Sequence, residues 1–338
     1  MDIDFDSVVT IENLYRAWIN FSAGKRQKTD VIAFAANVED ELCLLLDELS
    51  CGTYQHGAYN HFVVHDPKHR VIHKATVRDR VVHRLLYNAL LPEFHKRWLA
   101  CSYSCRPGFG QHRSLRDVRK GLGQATNNWS RECWVMKGDV RKFFDSICHK
   151  TLRDLLDSRL VDHRVCSLLG AVVQSFCVSD GVGLPIGNLT SQLFANVYMH
   201  ELDWYAKQTL GLRWYYRYAD DVLVLHSDHA VLESVLESIQ SFLACDLQLT
   251  LHPKKITVRK STWGIDWLGR VILPGHELLR PSTRRRMLRR INLQNVTSYQ
   301  GLLIDTARKE SDTRLGQSLA LMRESDTMET NSLWIRSC

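Results

Sequence analysis

The chain has 338 residues, 45% of them hydrophobic and 24% charged, with a formal net charge of +7 and an isoelectric point near 8.9. That is enough apolar material for one large compact unit or two to three subdomains sharing interfaces, and it excludes disordered and fibrous classes. The positive excess suits a polyanionic partner and is sharpest locally. Arg280, Arg284, Arg285, Arg286, Arg289 and Arg290 fall within eleven residues at helical spacings, a pattern that a solvated helix would also carry.

Ten cysteines show no metal or disulfide spacing. Cys101, Cys105 and His112 are close in sequence, but no second pair completes a tetrahedral set. The cysteines therefore read as small buried hydrophobes in a reducing compartment. No apolar run reaches bilayer-spanning length, and the acidic opening Met1 to Asp6 lacks the order of a signal peptide. A cytoplasmic protein with no membrane partner is expected.

In chain order, residues 9–22 and 30–49 carry helical periodicity; Val31, Phe34, Val38, Leu42 and Leu45 trace one apolar face. Short strands are expected at 60–64 and 70–73. A helix follows over 76–98, broken or kinked at Pro92. Residues 101–110 form a Pro/Gly loop and 112–121 a helix. Residues 132–140 read as a buried strand, and 152–160, 164–176 and 188–207 as helices. Residues 213–218 and 222–226 look like hairpin arms around Ala219-Asp220-Asp221. A helix over 231–247, strands at 256–258 and 267–272 and a basic helix from Pro281 complete a mixed α+β order.

The sharpest chemical feature is Tyr218-Ala219-Asp220-Asp221 between apolar arms. Adjacent carboxylates repel and are costly to desolvate, a cost that a hard divalent cation relieves. In-line phosphoryl transfer uses two such ions about 4 Å apart, which requires a third acid from a neighbouring strand. Asp139 closes the apolar run at 133–135 and precedes Phe143 and Phe144, which makes it the candidate.

These residues resemble the reverse transcriptases. Tyr218 to Asp221 is similar to their catalytic tetrapeptide and Asp139 to Phe144 to their first palm motif. The resemblance spans about 10–305 and implies a right-hand polymerase fold with fingers, a palm built on an antiparallel sheet and a short helical thumb. The expected limits are 1–130 for an N-terminal extension and fingers, 131–275 for the palm with a fingers insertion around 160–185, and 276–338 for the thumb. By the same resemblance Asp139, Asp220 and Asp221 are catalytic, and with the Val140 carbonyl they hold two Mg²⁺ ions. Phe144 matches the bulky residue that excludes a ribose 2′-hydroxyl by clash; plain core packing is the competing role.

Leu184 to Gln192 opens a helix at a Gly-containing turn. Most reverse transcriptases carry Gln-Gly where this chain has Ile186-Gly187, and Ser-Pro where it has Ser191-Gln192. The variant resembles the reverse transcriptases of diversity-generating retroelements, which copy RNA with errors concentrated at adenines. Ile186, Gly187 and Gln192 are then expected at the incoming nucleotide, where an apolar side chain in place of a hydrogen-bonding one loosens selection. Lys68 and Arg70 match triphosphate-binding positions of the fingers. Lys254 or Lys255 matches a position near the pyrophosphate, with Lys254 taken for the nucleotide set, and Trp267-Leu268-Gly269 resembles the primer grip. Arg106 is equally read as a structural ion-pair residue.

The resemblance implies a template RNA, a cDNA primer, dNTPs and a small, basic, oligomeric accessory variability protein as partners. The competing readings are a reverse transcriptase of another class, group II intron-like or phage-defence, and an RNA-binding scaffold that keeps the fold without turnover.

Overall fold

The computed structural model describes residues 1–65 and 69–291. Lys68 and the expected thumb segment beyond 291 lie outside them. Two compact units are present: residues 1–114, 136–224 and 233–257 form the first, and residues 115–135, 225–232 and 258 onward the second.

The chain opens with α1 (Phe5–Val8) and α2 (Ile11–Ser22). Asp4 and Thr10 cap them by accepting from the N–H groups of Ser7 and Asn13, which would otherwise lack partners. The periodic run at 30–49 is two helices, α3 (Thr29–Ala35) and α4 (Val38–Cys51). Asn37 leaves helical geometry between them (φ −129°) and serves as the N-cap position of α4. An antiparallel hairpin follows, β1 (Asn60–Val64) and β2 (Arg70–Lys74), with Asn60 opposite Lys74 and Val64 opposite Arg70.

Next is α5 (Val77–Arg97), capped by Thr76. Pro92 lies inside it and does not end it. The buried face of Val81, Leu85, Leu86, Leu90 and Phe94 packs against α2 and α9 (Leu189–Trp204), and this burial outweighs the one backbone bond that proline removes. Then come α6 (Gln111–Ala125), β3 (Trp134–Asp139), α7 (His149–Asp157) and α8 (His163–Gln174), before α9. After α9 the chain forms β4 (Tyr215–Tyr218), β5 (Asp221–His226), α10 (His229–Cys245) and β6 (Thr257–Lys260). Strands of the acid-bearing sheet run in the order β4-β5-β3-β6. In the second unit β7 (Ile265–Trp267), β8 (Arg270–Leu273) and β9 (His276–Leu279) make an antiparallel meander, followed by α11 (Pro281–Arg290).

Among the described residues no helix is long and apolar enough to cross a membrane. The described cysteines are free. Cys101, Cys133 and Cys166 are buried as expected, whereas Cys43, Cys51, Cys105, Cys177 and Cys245 are exposed.

The segment before α9 is stitched to the β1–β2 hairpin. The Ile186 carbonyl accepts from the His73 N–H at 3.0 Å, and the Asn188 amide donates to the His73 carbonyl at 2.8 Å. Between them Gly187 adopts φ +109°, and a Cβ there would stand 2.7 Å from Ile72 Cγ2. Glycine is thus required by both conformation and space. Gly187→Ala is expected to lower unfolding stability by about 1–3 kcal/mol. Urea denaturation measures this, and an unchanged midpoint would mean that the loop re-forms without strain.

Candidate active site

Tyr218 pairs with Asp221, which leaves Ala219 and Asp220 as a two-residue hairpin loop. Ala219 takes φ +53°, the left-handed first position that matches the twist of the flanking strands. Asp220 therefore sits at the loop and Asp221 begins β5.

Asp139 ends β3, and its neighbourhood is fixed by main chain. The Val140 N–H donates to the Asp220 carbonyl at 3.1 Å, which brings the end of β3 against the hairpin loop. On the other side the Arg141 N–H donates to the Thr250 carbonyl and the His252 N–H to the Asp139 carbonyl, both at 2.8 Å. Leu251 approaches so closely that a Cβ on Gly138 would lie 3.2 Å from its Cδ1. These bonds join acids some eighty residues apart in the chain.

The electrostatics follow from that convergence. Burial, then Asp221, then Asp139 push the Asp220 carboxyl up to about 6. Two lysines partly offset the charge: Lys255 Nζ is 2.5 Å from Asp139 Oδ1, and Lys137 Nζ is 3.9 Å from Asp221 Oδ1. Among the described residues no three His, Cys, Asp or Glu side chains are grouped so as to hold a metal ion. The donors themselves are hard oxygens whose repulsion the lysines offset only in part, the chemistry that Mg²⁺ satisfies.

A buried network underlies the hairpin loop. Arg217 grips Asp203 through two parallel bonds, Nε to Oδ1 and Nη2 to Oδ2, each 2.7 Å, with both side chains almost wholly inaccessible. Arg217 also donates to the Ala219 carbonyl at 3.0 Å and the Ser102 hydroxyl at 2.8 Å, and Tyr215 donates to Asp203 at 2.9 Å. Burial disfavours the guanidinium charge, but Asp203 outweighs it and holds the pKa above its usual value. Main-chain bonds from Arg217 to Cys101 (2.8 Å) and from Tyr103 to Arg217 (3.0 Å) lay the 101–103 segment beside β4.

A family model described as reverse transcriptase (RNA-dependent DNA polymerase) matches residues 65–272. The chain belongs to the reverse transcriptase family. It is similar to the protein YkfC of Escherichia coli K12, with 26% identity over 289 residues and 74% of each chain covered. It is also similar to an uncharacterized 91 kDa protein in the cob intron of Schizosaccharomyces pombe, at 31% identity over 37% of this chain and 16% of that one. The group II intron-encoded protein LtrA of Lactococcus lactis subsp. cremoris is 24% identical over 50% of this chain and 29% of its own length. The chain thus spans three quarters of YkfC but less than a third of the two intron proteins. The expected right-hand, mixed α+β polymerase fold accords with the family match and with the helices and antiparallel hairpins described.

In this reverse transcriptase the other expected residues fall into four places. Phe144 is half-buried against Phe143 (ring centroids 5.3 Å apart), and its carbonyl accepts from the Leu184 N–H at 2.7 Å, which ties it to the Leu184–Gln192 segment. Ile186 is half-buried there, whereas Gly187 and Gln192 are exposed. Arg70 is exposed at the start of β2. Lys254 is exposed, and it is Lys255, not Lys254, whose ammonium reaches the acids. Arg106 is buried and donates to the carbonyls of Trp98, Leu99 and Ser102, a structural role.

Sequence reasoning missed Arg217 and Asp203. The available signal was a lone arginine amid the aromatics Tyr215, Tyr216 and Tyr218, since a buried cation requires an acid partner. Asp203→Ala leaves the buried Arg217 unpaired and is expected to destabilise the protein by about 3–5 kcal/mol, measured by chemical denaturation. A loss below about 1 kcal/mol would contradict the network.

For Asp220 the sign is set by a folded pKa above the ordinary aspartate value of 3.8. The folded state holds the extra proton between pH 4 and 6, so stability falls as pH rises through that window. At pH 7 the penalty is at most about 3 kcal/mol, less what partial exposure of the loop screens. In EDTA, Asp220→Asn is therefore expected to be more stable than the parent at pH 7, with the difference vanishing near pH 4. Equal stabilities at pH 7 would refute the raised pKa and with it the combined cost of burial and repulsion.

Proposed function

We propose that this reverse transcriptase is the RNA-directed DNA polymerase of a diversity-generating retroelement, making cDNA with errors at template adenines. In this reading Asp139, Asp220, Asp221 and the Val140 carbonyl hold two magnesium ions. When bound, such ions acidify the primer 3′-hydroxyl and neutralise the departing pyrophosphate. Arg70 and Lys68 offset triphosphate charge, and Lys255 is the nearer of the two lysines for a role at the pyrophosphate. Phe144 excludes the ribose 2′-hydroxyl. The proposed limits are fingers over 1–130, palm over 131–275 and thumb over 276–338. A small basic oligomeric accessory protein and a template RNA are the proposed partners.

The observation that carries the subgroup is Ile186. Its backbone is pinned to the fingers hairpin by the His73 N–H, and its segment is tied to the Phe144 carbonyl through Leu184. A half-buried aliphatic side chain held there supplies shape but no hydrogen bond to an incoming nucleotide. Losing a polar contact of about 1–3 kcal/mol relaxes discrimination roughly tenfold or more.

A second reading, a group II intron-like enzyme, is favoured by the similarity to LtrA. Primer extension on a defined RNA with Mg²⁺ and dNTPs, followed by sequencing, separates the two, with Asp220→Ala as the inactive control. The retroelement reading expects errors concentrated opposite adenine, and about tenfold fewer of them in Ile186→Gln. Errors spread evenly over the four template bases would favour the intron-like enzyme. An unchanged spectrum in Ile186→Gln would remove Ile186 from the mechanism.

A further inference from the structure

The second unit concentrates the positive charge of the chain. Its described residues hold thirteen Lys or Arg against five Asp or Glu, an excess of eight where the whole chain has +7. Within it, Arg116, Arg119, Lys120 and Gly123 recur at the spacing of one face of α6, and the three cations are exposed. They line an open groove of about 580 Å³ together with Asn127, Asn128 and Trp129. Gly123 keeps its floor low: a Cβ there would meet only Asn128 Oδ1, at 3.5 Å.

The backbone that closes this groove is unusual. Asn127, Asn128 and Trp129 have φ of +47°, +55° and +69°, three consecutive residues in the left-handed region. One such residue suffices to cap a helix C-terminus. Each non-glycine residue held there has an energetic cost, and such strain persists only where the surroundings enforce it. Here the Asn128 N–H donates to the Gly123 carbonyl at 2.7 Å, the Trp129 N–H to Thr126 Oγ1 at 2.8 Å and the Arg131 N–H to the Thr126 carbonyl at 2.8 Å. The result places two amides and a half-buried indole along the wall of a cationic groove. Two of the cations also have acidic neighbours, Asp117 3.9 Å from Arg116 and Glu277 3.6 Å from Arg119.

We propose that the α6 groove binds a single-stranded stretch of RNA, with Arg116, Arg119 and Lys120 on phosphates, Trp129 stacked on an unpaired base, and Asn127 and Asn128 on base edges. Cations with a stacking ring form the platform that suits unpaired nucleotides. RNA is the committed polymer because the family copies it. The site is built wholly from second-unit residues, and its binding test does not depend on the retroelement reading.

The test is equilibrium binding of a labelled single-stranded RNA 12-mer to the full chain, with saturating unlabelled primer–template duplex present to fill the polymerase site. Trp129→Ala is expected to weaken binding about tenfold. Arg116→Glu/Lys120→Glu should weaken it at least tenfold and reduce the salt slope by about one to two, as removal of two phosphate contacts requires. Asn127→Gly/Asn128→Gly relieves the left-handed backbone, so its Tm is expected to be equal or higher while affinity falls about threefold. This variant and the exposed charge reversals decide the matter if Trp129→Ala does not fold. Parental affinity in these variants overturns the proposal. So does equal binding of duplex RNA or single-stranded DNA, which would make the groove a general polyanion surface. Extension rate on a short pre-annealed primer–template reports separately on the polymerase: its failure in the parent would sink the polymerase reading and leave the groove to the binding data.

Discussion

The main-chain clamp that sets the end of β3 against the Asp220 loop is the interaction on which the acidic site depends. Left alone, Asp139, Asp220 and Asp221 would separate, because like charges at the margin of a low-dielectric sheet disfavour ionisation. Main-chain bonds prevent this. The Val140 N–H holds the end of β3 to the carbonyl of Asp220, and the bonds from Arg141 and His252 clamp the same strand end from the opposite side. Burial first, then Asp221 and Asp139, raise the pKa of Asp220 where these bonds hold it. Backbone hydrogen bonds suit that task, since no pH change in the working range titrates them.

The hairpin loop needs a foundation of its own, because Ala219 occupies a conformation that L-residues disfavour. Arg217 provides it from beneath. One guanidinium binds the loop carbonyl, the α9 carboxylate of Asp203 and the hydroxyl of Ser102, and so ties the loop to a helix and to the 101–103 segment at once. A buried ion pair is an inefficient way to gain stability compared with apolar packing. Its planar, bidentate geometry fixes orientation instead, which is what a loop bearing an ionised side chain requires.

Much of this was legible in the sequence because it is local. The Tyr-Ala-Asp-Asp hairpin, the strand ending at Asp139 and the amphipathic helices each follow from periodicity and turn chemistry within a dozen residues. What escaped depends on distance in the chain. Arg217 and Asp203 look ordinary apart and become a unit only once α9 lies under β4. Lys254 and Lys255 are indistinguishable by composition, and the short 3₁₀ turn at Pro253–Lys255 decides which ammonium faces Asp139. At Pro92 a local rule predicts a break or a kink, and the helix continues through it because its buried face packs on α2 and α9. The split between α3 and α4 went unread because the apolar stripe continues across it.

Lys255 and Lys137 offset part of the negative charge at these acids. An ammonium on a flexible stem is a point charge that can approach a carboxylate and leave it without disturbing the backbone. Placed on Asp139 and Asp221, it lowers the repulsion at the clamped strand ends, and Lys255 also acts on Asp220, whose pKa burial and the two neighbouring acids raise. An arginine in either position would form a stronger, planar, bidentate pair and would compete more strongly with any arriving cation. Lysine provides attraction weak enough to be exchanged. The main chain therefore fixes where the acid-bearing strand ends meet, and the lysine side chains neutralise them only loosely, so that the pairing can be exchanged without moving the backbone.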